Sequence, residues 1–461
     1  MMFMPEGQAA GEMDRITLLA MWSRHLQSQG RPMIAACMGK PTFAMNGYAA
    51  SLAAKHWSEI QFLAQASHHL FRNNPDSSLT RDTLVKMGGA IDYGEPQGDR
   101  EAREVMAKAL TRWYNNQITV TPQHLLFTVG GAGAIHLILE VLYEQSPAAQ
   151  IITPFPHYTL YATTNKHIQL HPIPVMEEPG YRLSAKSLEA SIKKVKTHPI
   201  GAFLFCSPNN PLGTITSPHE WRAIAAILKR YPTVAIILDE AYAELCLDGE
   251  HYQSLLESAP ELYSRTILLR SATKALSAAG QRMAVLVMPD SAFMAKLLAK
   301  NVSMYGHAPR SDQKIFAAAL YHFSEKDRRD LAAFYAPQVK LAFSRLQAMG
   351  VMMPDPHYKV EGTFYVLANL SELFGVEIPL EVAAALGRLG TIETDEEIAY
   401  YLLFKGVCIA PLSYFGITPY AGFMRITCSG GDAEINALCD ILESVLSEAR
   451  KKKPAKRILF Q

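Results

Sequence analysis

Short apolar runs alternate with helical patterns through the middle of the chain, and Gly, Pro, Asn and Ser separate them. Apolar runs bounded by such turn residues are typical of buried strands. Strands that alternate with helices are typical of a parallel α/β sheet. The pattern therefore predicts an α/β fold with strands over residues 125–129, 150–153, 201–206, 234–238, 266–269 and 283–288.

The pattern changes towards both ends of the chain. Near the start it predicts a helix over residues 14–27, a short strand over 33–37 and a helix over 48–72. Near the end it predicts a long helix, a strand and a final helix over residues 325–349, 423–427 and 433–448.

The length of the chain, 461 residues, exceeds what one hydrophobic core usually supports, so more than one domain is expected. We expect residues 1–47 to form an N-terminal arm and part of a small domain. Residues 48–324 are expected to form a large domain, and residues 325–461 to complete the small domain.

Charge balance and cysteine use exclude several classes of protein. The 44 basic and 43 acidic residues nearly cancel, so neither a nucleic acid nor a membrane surface is expected as a partner. No apolar run approaches the roughly 18 residues of a membrane span, and Glu6, Glu12 and Asp14 stand where a signal peptide would be apolar. The six scattered cysteines form no CxxC pair, which is typical of buried thiols in the cytoplasm. A basic tail, residues 451–457, is expected to be a solvated end.

Unusual residues follow the predicted strands at their carboxyl ends, where open α/β sheets bind ligands. Lys274 stands in a loop of small residues after one strand, and Arg282 follows eight positions later. Desolvation and a nearby positive charge would lower the pKa of this amine and suit it to a Schiff base. Taken alone, the same stretch is also compatible with a surface lysine at the end of a strand.

The glycine-rich run 130–133 lies between a predicted strand and a helix expected to begin at Ala134, so its amides can point at an anion. Ser271 and Arg282 can complete a phosphate cradle with a hydroxyl and a fixed charge. Asp239 follows an apolar strand without a neighbouring cation, and a protonated heteroaromatic nitrogen would pair with it. The alternatives are an ordinary turn for the glycines and a helix-capping role for Asp239.

Further polar and aromatic residues complete the set. Asn210 and Tyr242 can donate to a phenolate oxygen, and Tyr158 can lie against a planar ring. Arg425 interrupts an apolar strand and is either a clamp for a carboxylate or part of a buried ion pair. No metal site is expected, because His167 and His171 are four residues apart in a segment that is not helical.

As a set, these segments resemble the fold-type I, class I/II aminotransferases that use pyridoxal phosphate (PLP), from Gly39 to Arg425. The motifs that carry the resemblance are Ser-Pro-Asn-Asn-Pro-Leu-Gly at 207–213, Asp-Glu-Ala-Tyr at 239–242, and Ser-x-x-Lys at 271–274 with Arg282 eight residues on. The resemblance implies a large domain with a mostly parallel sheet of the seven-stranded type, flanked by helices. A smaller α+β domain would come from the two chain ends.

The resemblance also implies a role for each residue. Lys274 would hold PLP as a Schiff base, Asp239 would pair with the pyridine nitrogen, and Tyr242 with Asn210 would bind the phenolic oxygen. Tyr158 would stack on the ring. The phosphate would be held by the amides of Gly131 and Ala132 and by Ser271 and Arg282, and the substrate carboxylate by Arg425 with the backbone of Gly39 and Asn210.

Tyr93 in the segment 91–98 matches a family tyrosine that reaches the phosphate of the neighbouring subunit, so the resemblance implies a homodimer. The chain departs from the family's pattern at Gly130, Ala132 and Thr273, where relatives often carry other small or hydroxyl residues, and in a segment 376–395 that looks longer than usual. No departure removes a catalytic group.

The expected reaction is transamination between an L-amino acid and a 2-oxo acid. The same cofactor-binding residues are compatible with a PLP-dependent lyase, a decarboxylase or a cyclopropane-forming synthase, because fold does not fix reaction. A PLP-sensing regulator is disfavoured, since only about 40 residues precede Pro41. Aspartate or glutamate is the preferred amino donor, and Arg310 is either a contact for a second substrate carboxylate or a surface residue.

Overall fold

The computed structural model describes residues 14–87, 91–195, 198–274 and 276–452. Residues 1–13 of the expected N-terminal arm and residues 453–457 of the basic tail lie outside these ranges. Within them, no helix combines the length and the apolar character needed to cross a membrane.

Helices surround the sheets of this fold. Their bounds in the described ranges are α1 Arg15–Ser28, α2 Gly47–Asn73, α3 Ser78–Met87, α4 Arg100–Trp113, α5 Gly130–Gln145, α6 Leu160–Thr163, α7 Ala185–Lys194, α8 Pro218–Leu228, α9 Leu255–Ser258, α10 Ser291–Tyr305, α11 Arg310–His322, α12 Glu325–Met349, α13 Leu380–Leu386, α14 Asp395–Phe404 and α15 Asp432–Lys452. Several begin at a side chain that accepts from a free backbone amide, as Asp14 does for α1 and Ser324 for α12. The sequence pattern predicts α1, α2, α12 and α15 to within a few residues at each end.

The strands are β1 Ile34–Ala35, β2 Leu125–Val129, β3 Gln150–Pro154, β4 Gln169–Ile173, β5 Ile200–Cys206, β6 Ala235–Asp239, β7 Thr266–Ser271, β8 Met283–Val287, β9 Tyr365–Asn369, β10 Val407–Cys408, β11 Ala410–Pro411 and β12 Phe423–Thr427. In the described part of the chain, seven of them form one sheet in the order β2-β8-β7-β6-β5-β3-β4. All neighbours from β7 to β4 are parallel, and β8 runs antiparallel to both of its neighbours. The expected mostly parallel sheet flanked by helices is confirmed.

The direction of the strands explains why the candidate residues meet. Because β2 and β7 both run antiparallel to β8, the carboxyl end of β2 lies at the same edge as those of the parallel strands. Cys206 at the end of β5 pairs in register with Asp239 at the end of β6. The middle strands are buried on both faces, which accounts for their nearly continuous apolar sequences.

A second, antiparallel sheet has the order β11-β12-β9, and β1 pairs in parallel with β10. The start of the chain and its last third therefore share a sheet. β1 is shorter than the predicted strand 33–37, because beyond Ala36 the chain turns towards the site and the Cys37 carbonyl accepts a hydrogen bond from Arg425. The domain boundaries after residues 47 and 324 stay a prediction.

Two local features differ from the sequence patterns. Helix α5 begins at Gly130 rather than at Ala134, so residues 131–133 belong to its first turn and not to a loop before it, and Gly130, with its positive φ, leads the chain into the helix. Its amides lie where a helix leaves backbone donors free. β4 has no apolar pattern of its own because it contains His171 and Pro172, which an edge strand tolerates.

Truncation of a side chain in the middle of the sheet tests this architecture. Leu268 in β7 is 0% exposed, so Leu268→Ala leaves a cavity and is expected to cost about 2–5 kcal/mol of unfolding free energy. The measurement is the shift of the urea midpoint followed by circular dichroism. Leu79→Ala is the matched control, since Leu79 is 73% exposed and its loss is expected to change stability by less than about 0.5 kcal/mol. Equal shifts for the two variants would contradict the assigned core.

Candidate active site

Lys274 presents its amine at the edge where the parallel strands end. The amine donates to the carbonyl of Gly39 and lies 5.3 Å from the centre of the Tyr242 ring and 5.6 Å from that of Phe364. Burial, and after it the positive charges of Arg425 and Arg282, lower the pKa of Lys274 from its ordinary value to about 7, although the nearby carboxylate of Asp239 opposes this shift. Near neutral pH, a large fraction of this amine is therefore uncharged and nucleophilic.

Asp239 ends β6 as a buried carboxylate. One oxygen accepts from the Tyr161 hydroxyl at 2.6 Å and the other from the Ala241 amide at 3.2 Å. Burial raises the pKa of Asp239, and the hydrogen bonds from Tyr161 and Ala241 oppose that rise. Asp239 thus holds the turn that follows β6 rather than capping a helix, and its other oxygen is fixed by Tyr161.

Arg425 occupies the central strand β12 of the small antiparallel sheet and is buried. One nitrogen donates to the Asn210 side-chain oxygen at 2.7 Å and another to the Cys37 carbonyl. Its Nε is buried without a hydrogen-bond partner, and no carboxylate of the described ranges forms an ion pair with it. The guanidinium lies 4.3 Å from the centre of the Tyr365 ring. A buried cation with an unused donor fits the carboxylate of a bound molecule.

The first turn of α5 and the start of β8 form a cradle for an anion. Gly130 has a φ of 68°, and a Cβ at this position would lie 2.6 Å from an Arg282 nitrogen, so only glycine admits this approach. Gly131 and Ala132 follow in the same helical turn. Ser271 at the end of β7 donates its hydroxyl to that of Thr273 at 2.8 Å. A helix N-terminus, a guanidinium and hydroxyls fit a phosphate group.

Polar and aromatic groups occupy the space between these anchors. The Tyr242 and Tyr365 hydroxyl oxygens lie 2.5 Å apart. Since the Asn210 oxygen accepts from Arg425, its amide hydrogens are the groups that can turn towards a ligand. Tyr158 is half-buried and stands edge-on to Tyr161, with ring centres 5.6 Å apart. This donor set and its aromatic neighbours fit PLP.

Tyr93 is the predicted site residue that the chain does not bring to the others. Its side chain is 88% exposed, and its ring stands edge-on to His307 at 5.9 Å. Arg310 also lies away from the centre, because it forms an ion pair with Asp99 at 2.9 Å and donates to the Asp92 carbonyl at 3.2 Å. Of the two readings for Arg310, the structure therefore favours a structural contact.

Two tyrosines of the site were missed as site residues by the sequence interpretation. Tyr161 holds Asp239, and its position just after Tyr158, in the short helix α6, was the available signal. Tyr365 lies in the small antiparallel sheet, where it contacts Arg425 of the same sheet and reaches across to Tyr242. Nothing in the local sequence around Tyr365 indicated these contacts.

Comparisons with known proteins agree with this geometry. A sequence profile of the family described as "Aminotransferase class I and II" matches residues 56–442. The chain is 23% identical over 390 residues to an aspartate aminotransferase of Pinus pinaster, covering 84% of this chain and 75% of that protein. It is 26% identical over 380 residues to an aspartate aminotransferase of Rhizobium meliloti (strain 1021), covering 80% and 88%.

The fold is similar to solved structures as well. The crystal structure of an aspartate aminotransferase from Rhizobium meliloti superposes with a TM-score of 0.74, covering 96% of this chain and 99% of that one. The sequences of this pair are 19% identical, so the likeness speaks for the fold alone.

The low pKa of Lys274 predicts how fast the protein couples to PLP. Below pH 7 the coupling rate is expected to rise about tenfold per pH unit, and above about 7 it is expected to level off, since the amine is then uncharged. The measurement is incorporation of PLP into the cofactor-free protein, trapped by borohydride at several pH values. Lys274→Arg reports the background from surface lysines. A rate that continues to climb towards pH 10 would show a lysine with an ordinary pKa.

Proposed function

The chain belongs to the class I and II aminotransferase family, and from this premise we propose that it moves the amino group of L-aspartate or L-glutamate to a 2-oxo acid. As a member of the family it is a PLP-dependent aminotransferase acting on small molecules. The printed names of two relatives, both aspartate aminotransferases, support the choice of donor.

One observation carries the proposal: an uncharged amine, a buried carboxylate and a buried guanidinium meet at one edge of the sheet. PLP, when bound, supplies an aldehyde carbon that couples to amines and a ring that accepts electron density. Lys274 would hold this carbon until the substrate amine takes its place there, and the Nζ amine released by that exchange would take the proton from the substrate Cα. Asp239 keeps a proton on the ring nitrogen, which favours electron flow into the ring. Arg425 orients the substrate through its carboxylate.

The remaining residues position the cofactor in this proposal. Tyr242 and Asn210 donate to its phenolic oxygen, and Tyr158 covers its ring. The amides of Gly131 and Ala132, with Ser271 and Arg282, hold its phosphate, and the backbone of Gly39 helps Arg425 to bind the substrate carboxylate. The Gly39 carbonyl accepts from Lys274, which places this segment beside the amine.

We also propose a homodimer in which Tyr93 of each subunit completes the site of its partner. Exposure of 88% leaves this ring available to a second molecule. Residues 1–47 and 325–461 are proposed to form a small domain and residues 48–324 a large one. The six cysteines are free and buried, which supports the cytoplasm as its location.

A panel of amino donors tests the reaction. With L-aspartate or L-glutamate and a 2-oxo acid, we expect stoichiometric formation of a new amino acid and the donor's oxo acid, without release of ammonia or carbon dioxide. Lys274→Ala is expected to lose turnover by a factor of at least about 10³, because both the attachment point and the proton carrier are removed. Ammonia or carbon dioxide as the main product would instead identify a lyase or a decarboxylase on the same fold. Faster turnover of apolar donors would refute the assigned substrate class alone.

A hybrid dimer tests the crossing of Tyr93. Homodimers of Tyr93→Ala and of Lys274→Ala are each expected to have low turnover. A hybrid dimer contains one subunit of each variant. If Tyr93 reaches the partner's site, one of the two sites in this hybrid dimer has both Tyr93 and Lys274. Such a hybrid, isolated with two affinity tags, is expected to recover about half of the native turnover. If Tyr93 serves its own subunit, neither site of the hybrid is complete and no recovery follows. Tyr420→Ala, at another exposed tyrosine, paired with Lys274→Ala is the control for tagging and assembly.

A further inference from the structure

Tyr365 is a buried phenol of the site that has no assigned role in the reaction. It is the first residue of β9, and its hydroxyl oxygen lies 2.5 Å from that of Tyr242. Tyr242 follows β6 of the large sheet, whereas Tyr365 belongs to the small antiparallel sheet. The bond between the two hydroxyls therefore crosses from one sheet to the other at the site.

The surroundings hold the Tyr365 ring in one place. Tyr365 is paired in register with Thr427 of β12, two residues from Arg425, whose guanidinium lies 4.3 Å from the ring centre. A Cβ on Gly39 would lie 1.8 Å from the Tyr365 hydroxyl oxygen and 3.2 Å from the Lys274 amine. The absence of a side chain at Gly39 thus lets the hydroxyl enter the site beside the reactive amine.

The number of hydrogens in the tyrosine pair decides what Tyr242 can do. Each phenol has one hydrogen, and the pair needs one of them for its own bond. If Tyr242 donates to Tyr365, it has no hydrogen left for a ligand. If Tyr365 donates to Tyr242, the Tyr242 hydrogen remains available, and its donor strength increases because its oxygen already accepts.

The electrostatic surroundings favour Tyr365 as the donor. Burial raises the pKa of Tyr365, but Arg425 and the bond to Tyr242 oppose the rise. Burial raises the pKa of Tyr242 well above its ordinary value, and the charge and hydrogen bond of Tyr365 raise it further. The more acidic hydroxyl is the better donor, and the Arg425 guanidinium, 4.3 Å from the centre of the Tyr365 ring, stabilises negative charge on this phenol, so Tyr365 is the favoured donor between the two oxygens.

We propose that Tyr365 is a positioning residue that donates its hydroxyl hydrogen to Tyr242 and thereby commits the Tyr242 hydrogen to the phenolic oxygen of PLP. The inference rests on the proposed function, because it assigns a donor direction within the same site. It also explains why the hydroxyl is present: a phenylalanine would fill the same space against Arg425 without strengthening Tyr242 as a donor.

The test is a double-mutant cycle with Tyr365→Phe, Tyr242→Phe and the combined variant, read by pH titration of the visible band of bound PLP. Tyr365→Phe keeps the ring and is expected to raise the midpoint of this titration by about half a pH unit. If Tyr242 is a weaker donor, the phenolic oxygen of PLP carries more negative charge. That charge stabilises the proton on the nitrogen between PLP and Lys274, so a higher pH is needed to remove it. The PLP dissociation constant is expected to rise about threefold to tenfold.

The comparison of the single and double variants distinguishes a positioning role of Tyr365 from a general structural effect of its substitution. In the Tyr242→Phe background, Tyr365→Phe is expected to leave the midpoint unchanged, because its only route to the cofactor has been removed. Tyr358→Phe is the matched control, since Tyr358 is a buried phenol that donates to the Leu212 carbonyl at 2.9 Å and lies outside the proposed site. No shift in that control supports the assignment.

Two results would overturn the inference. The first is a titration midpoint in Tyr365→Phe that equals the native one. The second is a shift of the midpoint by Tyr365→Phe that is the same in the native and in the Tyr242→Phe background. Either result, with native protein that binds PLP and turns over, refutes only the role of Tyr365. Native protein that fails to couple with PLP refutes the proposed function itself.

Discussion

The proposed chemistry of this protein depends on the lowered pKa of the Lys274 amine. Burial and two guanidinium groups oppose its positive charge, and the carboxylate of Asp239 favours it. These contributions come from distant parts of the sequence, because Arg425 belongs to the small sheet and Arg282 precedes the last strand of the large one. The amine therefore becomes reactive only when the two sheets are assembled around it, and correct folding and reactivity are linked at this point.

A buried layer of charge supports the residues of the site from behind. Glu240 follows Asp239 and accepts from the Tyr114 hydroxyl at 2.6 Å, while Arg270 precedes Ser271 and pairs with Glu244. Successive residues of an extended chain point to opposite faces. Asp239 and Ser271 therefore face the site, while their neighbours Glu240 and Arg270 point away from it and hold the strand ends in place. Burial raises the pKa of Glu240 to about 7, although Arg270 lowers it. Removal of one partner from such a buried network is costly, so the layer supports the residues that are proposed to hold the cofactor.

Sequence reasoning could predict what depends on local pattern. Asp239 and Ser271 stand at the ends of apolar runs, and the rule that parallel strands end at one edge brought them together before any contact was known. The contact between Tyr161 and Asp239 spans 78 positions, and that between Tyr242 and Tyr365 spans 123. No local pattern encodes such pairs, since they depend on how strands are ordered and how the second sheet lies on the first.

The start of α5 shows a different limit, because a glycine run weakens the helical pattern even where the backbone is helical.

The segment that carries Tyr93 links the structure of one subunit to the proposed partner. The ring of Tyr93 lies in water at an energetic cost, yet its backbone is held firmly. The amide of Gly94 donates to His307 at 3.2 Å, and Arg310 binds both the Asp92 carbonyl and the Asp99 carboxylate. Fixing the backbone of an exposed aromatic residue costs conformational entropy, and the apolar surface of its ring stays exposed to solvent. A second subunit that covers the ring would recover that cost, so the rigidity of this segment supports the same dimer that its exposure makes possible.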